Sequence, residues 1–386
     1  MRRSAELALI ERIRLHQAAG RSTDATAASV KIPTSDYTSI SRLEDERALL
    51  ASAPAVAGLS GLLPSPGCHA TVNIGDSPVI LTRANDGELS ALLNVCRHRG
   101  AEVARGCGTA ARLVCPYHGW TYDLRGELVS RPRSNYFDDV SGEGLVRLPV
   151  AEKNGLIWLS ADPDAEIPDR PLQGAETDLA PLSMEKYRLF ARTEFTRPIN
   201  WKLGIDTFCE AYHLRVLHRE TLSPMIHSDY ALFDAFGLHG RLVSPRRSLD
   251  SLLERARDEW ALLPHATILW FLVPNAVLIH QQDHIELYQA RPGASPDEAR
   301  LSVQMYVPPD SERSEDHWRR NFDLLVEVTD TEDFATAAGI QRGYYTGAQD
   351  HITFGRNEPA LQHFHRSLDS MLHAMSRHGK TEPRKG

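Results

Sequence analysis

Four residues on two short loops constrain this chain more than any other feature: Cys96-Arg97-His98 and, after sixteen further residues, Cys115-Pro116-Tyr117-His118. Two soft thiolates and two imidazoles can converge on one metal centre only if the fold brings both loops to the same point. Two centres use this donor set: a tetrahedral zinc, or a [2Fe–2S] cluster in which the cysteines hold one iron and the histidines the other. Zinc modules pair Cys with Cys and His with His at short intervals, whereas here each loop supplies one of each, so that each loop touches both irons. The spacing favours the cluster. Gly100, Gly106, Gly108 and Gly119 near the loops permit close backbone approach to the sulfides. Cys107, between the pairs, reads as a loop cysteine, and Trp120 as a lid that limits water access.

The surroundings of these loops read as a small all-β module. From about Glu44 to Ala161 short apolar runs alternate with turn residues, as in Val79 to Thr82, Asn85-Asp86-Gly87 and Leu89 to Val95. Asn154-Gly155 followed by Leu156 to Leu159 marks its last turn and strand, and the three prolines between Ala161 and Pro171 mark a linker. Beyond it the pattern becomes α+β with an antiparallel sheet as core. A helical segment is expected near Ile205 to Leu217, with strands at Thr267 to Val273, Ile285 to Ala290 and Leu301 to Val307, and helices at His317 to Val328 and Pro359 to Met375. Leu301, Val303, Met305 and Val307 alternate with Ser302, Gln304 and Tyr306, the pattern of a half-buried strand.

At 386 residues the chain is long enough for two domains, each with its own core. The expected division is a helical segment at 1–43 packing on the second domain, the β module at 44–161 and that α+β domain at 162–386. The net charge of −8 and pI near 6.1 argue against a nucleic-acid partner, since phosphate recognition needs clustered Lys and Arg. No apolar run approaches the ~20 residues of a membrane span, and Ile268 to Val273 reads as a buried strand. Met1 to Gln17 suits an amphipathic helix and lacks the apolar core of a secretion signal. Five cysteines, an odd set, fit metal ligation in a reducing compartment, so the expected location is cytoplasmic.

Asn94-Val-Cys-Arg-His-Arg-Gly100 with Cys115-Pro-Tyr-His-Gly-Trp120 resembles the Rieske loops of ring-hydroxylating oxygenase α (large) subunits. Rieske proteins of respiratory complexes carry a further cysteine in each loop, whereas here Arg99 and Tyr117 stand beside the ligands. A second segment, Glu210-x-x-His213-x4-His218, resembles the mononuclear-iron motif of the same family, although many members have Asp where this chain has Glu210. Two histidines and a carboxylate form the facial triad that leaves sites open on Fe(II) for O2 and substrate. His213 and His218 lie ~140° apart around a regular helix, so the helix must distort or end between them. Asp206, one turn before Glu210, reads either as an acid that orients a ligand or as a solvated, helix-capping residue. Asp333, in Val328-Thr-Asp-Thr-Glu-Asp-Phe334, matches the family's carboxylate ligand, with Glu332 and Asp330 as competitors; Gln341-Arg-Gly343 and Phe354-Gly-Arg-Asn-Glu-Pro359 flank it.

The resemblance implies a helix-grip (START/Bet v 1-like) catalytic domain behind an all-β Rieske domain, one [2Fe–2S] cluster and one Fe(II) per subunit, and O2 as co-substrate. Electrons come from NAD(P)H through a separate reductase, with or without a ferredoxin, since the chain has no dinucleotide fingerprint of its own. It also implies a homotrimer, alone or with a small β subunit, in which Glu210 bridges the two metal sites. The expected reaction is mono- or dihydroxylation or oxidative demethylation of a small organic substrate, aromatic or otherwise largely apolar. Relatives also act on aromatic acids, on terpenoid or steroid-like compounds and on quaternary amines, and glutamate at position 210 occurs in the amine-demethylating branch. The rival reading is a zinc-stabilised β module fused to a non-catalytic lipid- or ligand-binding domain, which would leave Glu210, His213, His218 and Asp333 idle together.

Overall fold

Short aliphatic runs separated by tight turns make the first half of the chain antiparallel. The computed structural model describes residues 1–20, 23–138, 142, 144–228 and 230–378. The chain divides into one unit of Leu50–Pro171 with Met184–Arg188, and another of Met1–Leu49, Leu172–Ser183 and everything from Leu189 onward.

In the first unit a five-stranded sheet runs in the order Arg147–Leu148, Leu89–Leu93, Ser77–Arg83, Cys68–Ile74 and Cys107–Thr109, and two three-stranded sheets accompany it. Val79, Ile80 and Leu81 are all fully buried, so the central strand reads as a continuous apolar run rather than an alternating one. Ile80, Leu92, Val103, Leu113, Trp120, Tyr122, Leu124 and Leu145 form one core with Cys96 and Cys115. The two cysteines are thus fixed by the core that the sheets of this unit share.

The second unit is built on a seven-stranded sheet in the order Arg188–Arg197, Ala299–Val307, Ile285–Pro292, Ala276–His280, Ala266–Leu272, His239–Pro245 and Leu232–Phe236. The neighbours from Leu232–Phe236 through Ala299–Val307 are antiparallel. The expected alternation in the last strand holds only in part, because Gln304 and Tyr306 are buried as well. Gln304 is accommodated by donating to Gln289 at 2.9 Å, in keeping with the cost of burying an unpaired amide. The helix Arg3–Ala18 belongs to this unit and is held by Tyr230, whose hydroxyl donates to the Ile13 carbonyl at 2.6 Å. Strand Val30–Pro33 pairs with His351–Phe354 in a separate ribbon.

Two features near the sheet differ from expectation. The helix expected over Ile205 to Leu217 is only Leu203–Asp206, followed by turns and a 3-10 turn at His213–Arg215. Glu210 explains the break: its Oε2 accepts from the backbone N–H of Tyr212 and, at 3.0 Å, of His213, drawing both out of an α-helical ladder. The acidic run that holds Asp333 is a π-helical segment, Thr329–Phe334, between the α-helices Glu315–Val328 and Ala335–Tyr345. Such wide turns inside helices recur at functional sites because they re-aim consecutive side chains.

Candidate metal centres

The two cysteine loops are the same structure built twice. Cys96 N–H donates to the carbonyl of Ala101 at 2.9 Å and Gly100 N–H returns to Cys96; Cys115 N–H donates to Trp120 at 2.8 Å and Gly119 N–H returns to Cys115. Gly100 and Gly119 close these turns at φ of +79° and +73°, a region where a side chain would be strained. Asn94 braces the first loop from within, accepting from Val103 N–H at 2.7 Å and donating to the Ala104 carbonyl at 2.8 Å.

Within this frame the cysteines point inward and the histidines outward. Cys96 and Cys115 are buried, whereas His118 is exposed and His98 half-exposed. The Nδ1 atoms of His98 and His118 face each other at 3.1 Å. Two neutral imidazole nitrogens at that separation are satisfied together by one cation between them, so the donor set fits the outer iron of a [2Fe–2S] cluster, with the thiolates on the inner one. His98 stacks on Trp120 with centroids 5.0 Å apart. Tyr122, which the sequence did not single out, places its hydroxyl 3.3 Å from Cys96 Sγ and accepts from Arg97 N–H at 3.1 Å. Hydrogen bonds to the sulfur ligands are one of the means by which a protein sets a cluster's potential.

The second centre gathers His213, His218 and Asp333, whose candidate ligand atoms all lie within 4.8 Å of one another. Asp333 Oδ1 is 3.0 Å from His218 Nε2 and 3.6 Å from His213 Nε2. Ligands ~2.1 Å from a divalent ion and at right angles to each other are separated by about 3 Å, so these atoms fit one ion. Both imidazoles are oriented from behind: His213 Nδ1 donates to Glu210 Oε1, and His218 Nδ1 donates to Glu332 Oε2 at 2.6 Å. Thr207 donates to Asp333 Oδ1 at 2.9 Å, and Thr221 to Glu332 Oε2 at 3.0 Å. Carboxylates behind ligating imidazoles fix the tautomer that leaves Nε2 free for metal. Burial opposes charge on His218, but Asp333 and Glu332 outweigh it and hold its pKa above the usual imidazole range; the same negative field favours a divalent cation.

Each residue expected at this centre can therefore be placed. His213, His218 and Asp333 converge, and Glu210 touches His213. Glu332, weighed in the sequence as a rival to Asp333, instead backs His218. Asp330 pairs away from the ligands, with Arg197 Nε at 2.6 Å. Asp206 contacts none of the three ligands; its carboxylate is held by Tyr37 Oη at 2.6 Å and His365 Nε2 at 2.9 Å, both buried. Thr207 carried no sequence signal, whereas Glu332 was marked by standing next to Asp333.

A cavity of about 340 Å³ opens beside this centre. Phe208, Leu214, Leu222, Ile226, Leu269 and Tyr288 line its apolar part. Its polar part comes from Arg246, the turn Gln281–His284, Glu286 and the start of the helix Glu315–Val328.

An all-β unit with paired Cys/His loops and a sheet unit with a two-histidine, one-carboxylate site together define the Rieske-type non-haem iron oxygenase class. Two family models match the chain, the Rieske [2Fe-2S] domain over residues 55–141 and the ring hydroxylating alpha subunit (catalytic domain) over residues 184–374. The chain belongs to this family. It is 35% identical over 174 residues to the glycine betaine monooxygenase oxygenase subunit of Chromohalobacter salexigens, a match covering 45% of this chain and 39% of that protein. The matched stretch thus spans well under half of that relative's length. The fold is shared with a quaternary ammonium Rieske monooxygenase crystallised with an inhibitor (TM-score 0.77, 21% identity, 91% of this chain and 96% of that one). It is shared also with naphthalene 1,2-dioxygenase from a Rhodococcus species (TM-score 0.72, 19% identity, 96% and 98%). Among the described residues no helix is long and apolar enough to cross a membrane.

Proposed function

We propose that the chain is the terminal oxygenase component of a multicomponent system that uses O2 and two electrons to oxidise a small organic molecule. The observation that carries this reading is the presence, in one chain, of His98 and His118 with facing Nδ1 atoms 3.1 Å apart and of a His213, His218 and Asp333 triad. When bound, the [2Fe–2S] cluster supplies one-electron transfer and the mononuclear iron supplies O2 activation. Cys96, Cys115, His98 and His118 would hold the first; His213, His218 and Asp333 would hold the second. Glu210 and Glu332 keep the Nδ1 protons in place, so the Nε2 lone pairs stay aimed at the metal. The aliphatic part of the cavity excludes water from the reacting end of the substrate.

A separate reductase draws the electrons from NAD(P)H, with or without a ferredoxin. The chain works as a trimer in which His118 of one subunit would meet Glu210 of the next, joining the residues of the two sites. The exposed His118 and the contact of Glu210 with His213 support that route. The substrate is polar rather than the largely apolar compound expected from sequence. Arg246, Asp283, His284 and Glu286 on the cavity wall favour this, as does likeness to a glycine betaine monooxygenase subunit.

Protein purified anaerobically with excess iron tests the reading. The expected result is a brown protein with about two irons and two sulfides in a cluster that gives a rhombic Rieske EPR signal on reduction, and one further iron per chain. Colourless protein holding stoichiometric zinc would establish the structural-module reading instead.

A further inference from the structure

The polar wall of the cavity is a chain of charged side chains whose pairings can be followed one by one. Glu286 Oε1 accepts from Gln281 Nε2 at 3.1 Å and His284 Nε2 at 3.0 Å. Asp283 accepts from His284 Nδ1 at 2.8 Å and His317 Nε2 at 3.0 Å, with Arg313 Nε at 3.6 Å. With a carboxylate on each side His284 is a doubly donating imidazolium: burial opposes its charge, but Asp283 and Glu286 raise its pKa to about 9. The two acids are thereby balanced by His284 and Arg313.

Arg246 is left over. Its Nη2 donates to Gln281 Oε1 at 2.7 Å, its Nε is buried with no hydrogen-bond partner, and among the described residues it forms no ion pair. Burial lowers its pKa by more than Glu286 and Asp283 raise it. A guanidinium that lines a cavity with its terminal edge only partly filled, Nη2 giving one hydrogen to Gln281, can receive a planar anion in two-point contact through Nη1 and the remaining Nη2 hydrogen. The opposite end of the cavity has the other sign, since Glu210, Glu332 and Asp333 surround the metal position.

The two ends are well separated. Tyr288 Oη lies 3.3 Å from Thr329 Oγ1, at the start of the π-helical turn that carries Asp333. On the same strand face Glu286 is one pleat repeat away, and His284, opposite Gln281 in the turn, is the next. Four residues of strand span about 13 Å, so an anion held at Gln281 and Arg246 is remote from the metal and is not a metal ligand.

We infer that Arg246 is the specificity-determining anchor of the substrate site and that the substrate carries a carboxylate, which docks on its guanidinium while the end to be oxidised faces His213 and His218. Resting on the oxygenase reading, this restricts the substrate to organic acids and zwitterions and excludes hydrocarbons. A quaternary-ammonium acid and an aromatic acid share this chemistry, and the two arms of the test separate them.

The test is calorimetric titration of the cluster- and iron-loaded protein with two matched pairs, γ-butyrobetaine against butyltrimethylammonium and benzoate against benzyl alcohol. In the pair that matches the substrate, the carboxylate member should bind at least about tenfold more tightly than its partner. Arg246→Gln should erase that difference while leaving the partner's affinity unchanged, and Arg246→Lys, which keeps the charge but not the fork, should retain part of it. Equal affinity within both pairs, no binding of either carboxylate, or equal weakening of both members by Arg246→Gln overturns the inference. Should Arg246→Gln lose its mononuclear iron, Arg246→Lys carries the same comparison. Iron and sulfide content judges the oxygenase reading separately from any of these titrations.

Discussion

The two metal centres reach their geometry by opposite means. The cluster loops lie between Cys96 and Trp120, each closed by its own pair of backbone hydrogen bonds and its own left-handed glycine. The mononuclear triad joins His218 to Asp333 across 115 residues of sequence, and its imidazoles owe their orientation to Glu210 and Glu332. At the first site the Nδ1 atoms of His98 and His118 face each other; at the second the Nδ1 atoms of His213 and His218 face carboxylates and their Nε2 atoms turn towards Asp333. A locally built centre rises and falls with its own loops. A centre assembled over long range can lose its metal while every strand and helix around it stays folded.

The largest effect that this contrast predicts comes from the triad ligands. His213→Ala, His218→Ala or Asp333→Ala should each reduce mononuclear iron to near zero and turnover by more than about a hundredfold, while the Rieske EPR signal of the other unit is unchanged. Iron retention in Asp333→Ala, with loss in Glu332→Ala, would exchange the roles assigned to these neighbours. Glu332→Gln is the finer probe, because it leaves an acceptor beside His218 Nδ1 but removes the charge. Iron affinity should fall about tenfold, measured by competition with a chelator, with the fold intact.

The same contrast explains what could be read from sequence. The candidate cluster ligands were legible because all four stand within one short stretch with distinctive spacing, and His213 and His218 because they stand five residues apart in one motif. Strands such as Leu156–Leu159 and helices such as Glu315–Val328 followed their apolar runs closely. The broken helix after Asp206 was not legible, because a side chain, Glu210, takes the backbone N–H groups that the helix would use. Nor was the π-helical turn, which leaves no compositional mark and separates the tasks of Glu332 and Asp333. Least visible was the polar cavity wall, whose members come from a strand end, a turn and a helix start, and meet only once the sheet has formed.

A smaller effect is set by pH. His284 is buried, and its folded pKa of about 9 lies above the ordinary imidazole value of ~6.5. Its contribution to stability is therefore fully present below that ordinary value and is lost as pH rises towards and through about 9. Between pH ~7 and ~9.5 the loss is about 2 kcal/mol, or roughly 4–8 °C in the melting temperature of a unit this size. His284→Gln should melt lower than the unaltered protein at the lower pH and lose most of this slope. A slope unchanged by the substitution would mean that His284 is not the group that titrates.

The smallest expected effect concerns Asp206, and it asks whether the second centre's long-range design extends past the residues that touch its ligands. Asp206 stands one turn before Glu210, yet its bonds run the other way, to Tyr37 and His365, in a buried cluster where Lys202 Nζ also meets Glu46 at 2.7 Å. Burial holds Tyr37 well above the ordinary phenol pKa, and the adjacent Asp206 adds to this, so the hydroxyl stays protonated and donates. Tyr37→Phe removes that donor and leaves one buried carboxylate oxygen short of a partner, a cost of about 1–3 kcal/mol. On the geometry that cost falls on the packing between the short helix Ser35–Thr38 and the helix Pro359–His378, not on the triad His213, His218 and Asp333. Mononuclear iron content and the chelator-competition affinity should match the unaltered protein within about twofold, while the melting temperature drops by a few degrees. A fall in iron affinity as large as that from Glu332→Gln would show instead that Asp206 acts through the short helix Leu203–Asp206 to position Glu210, and with it His213.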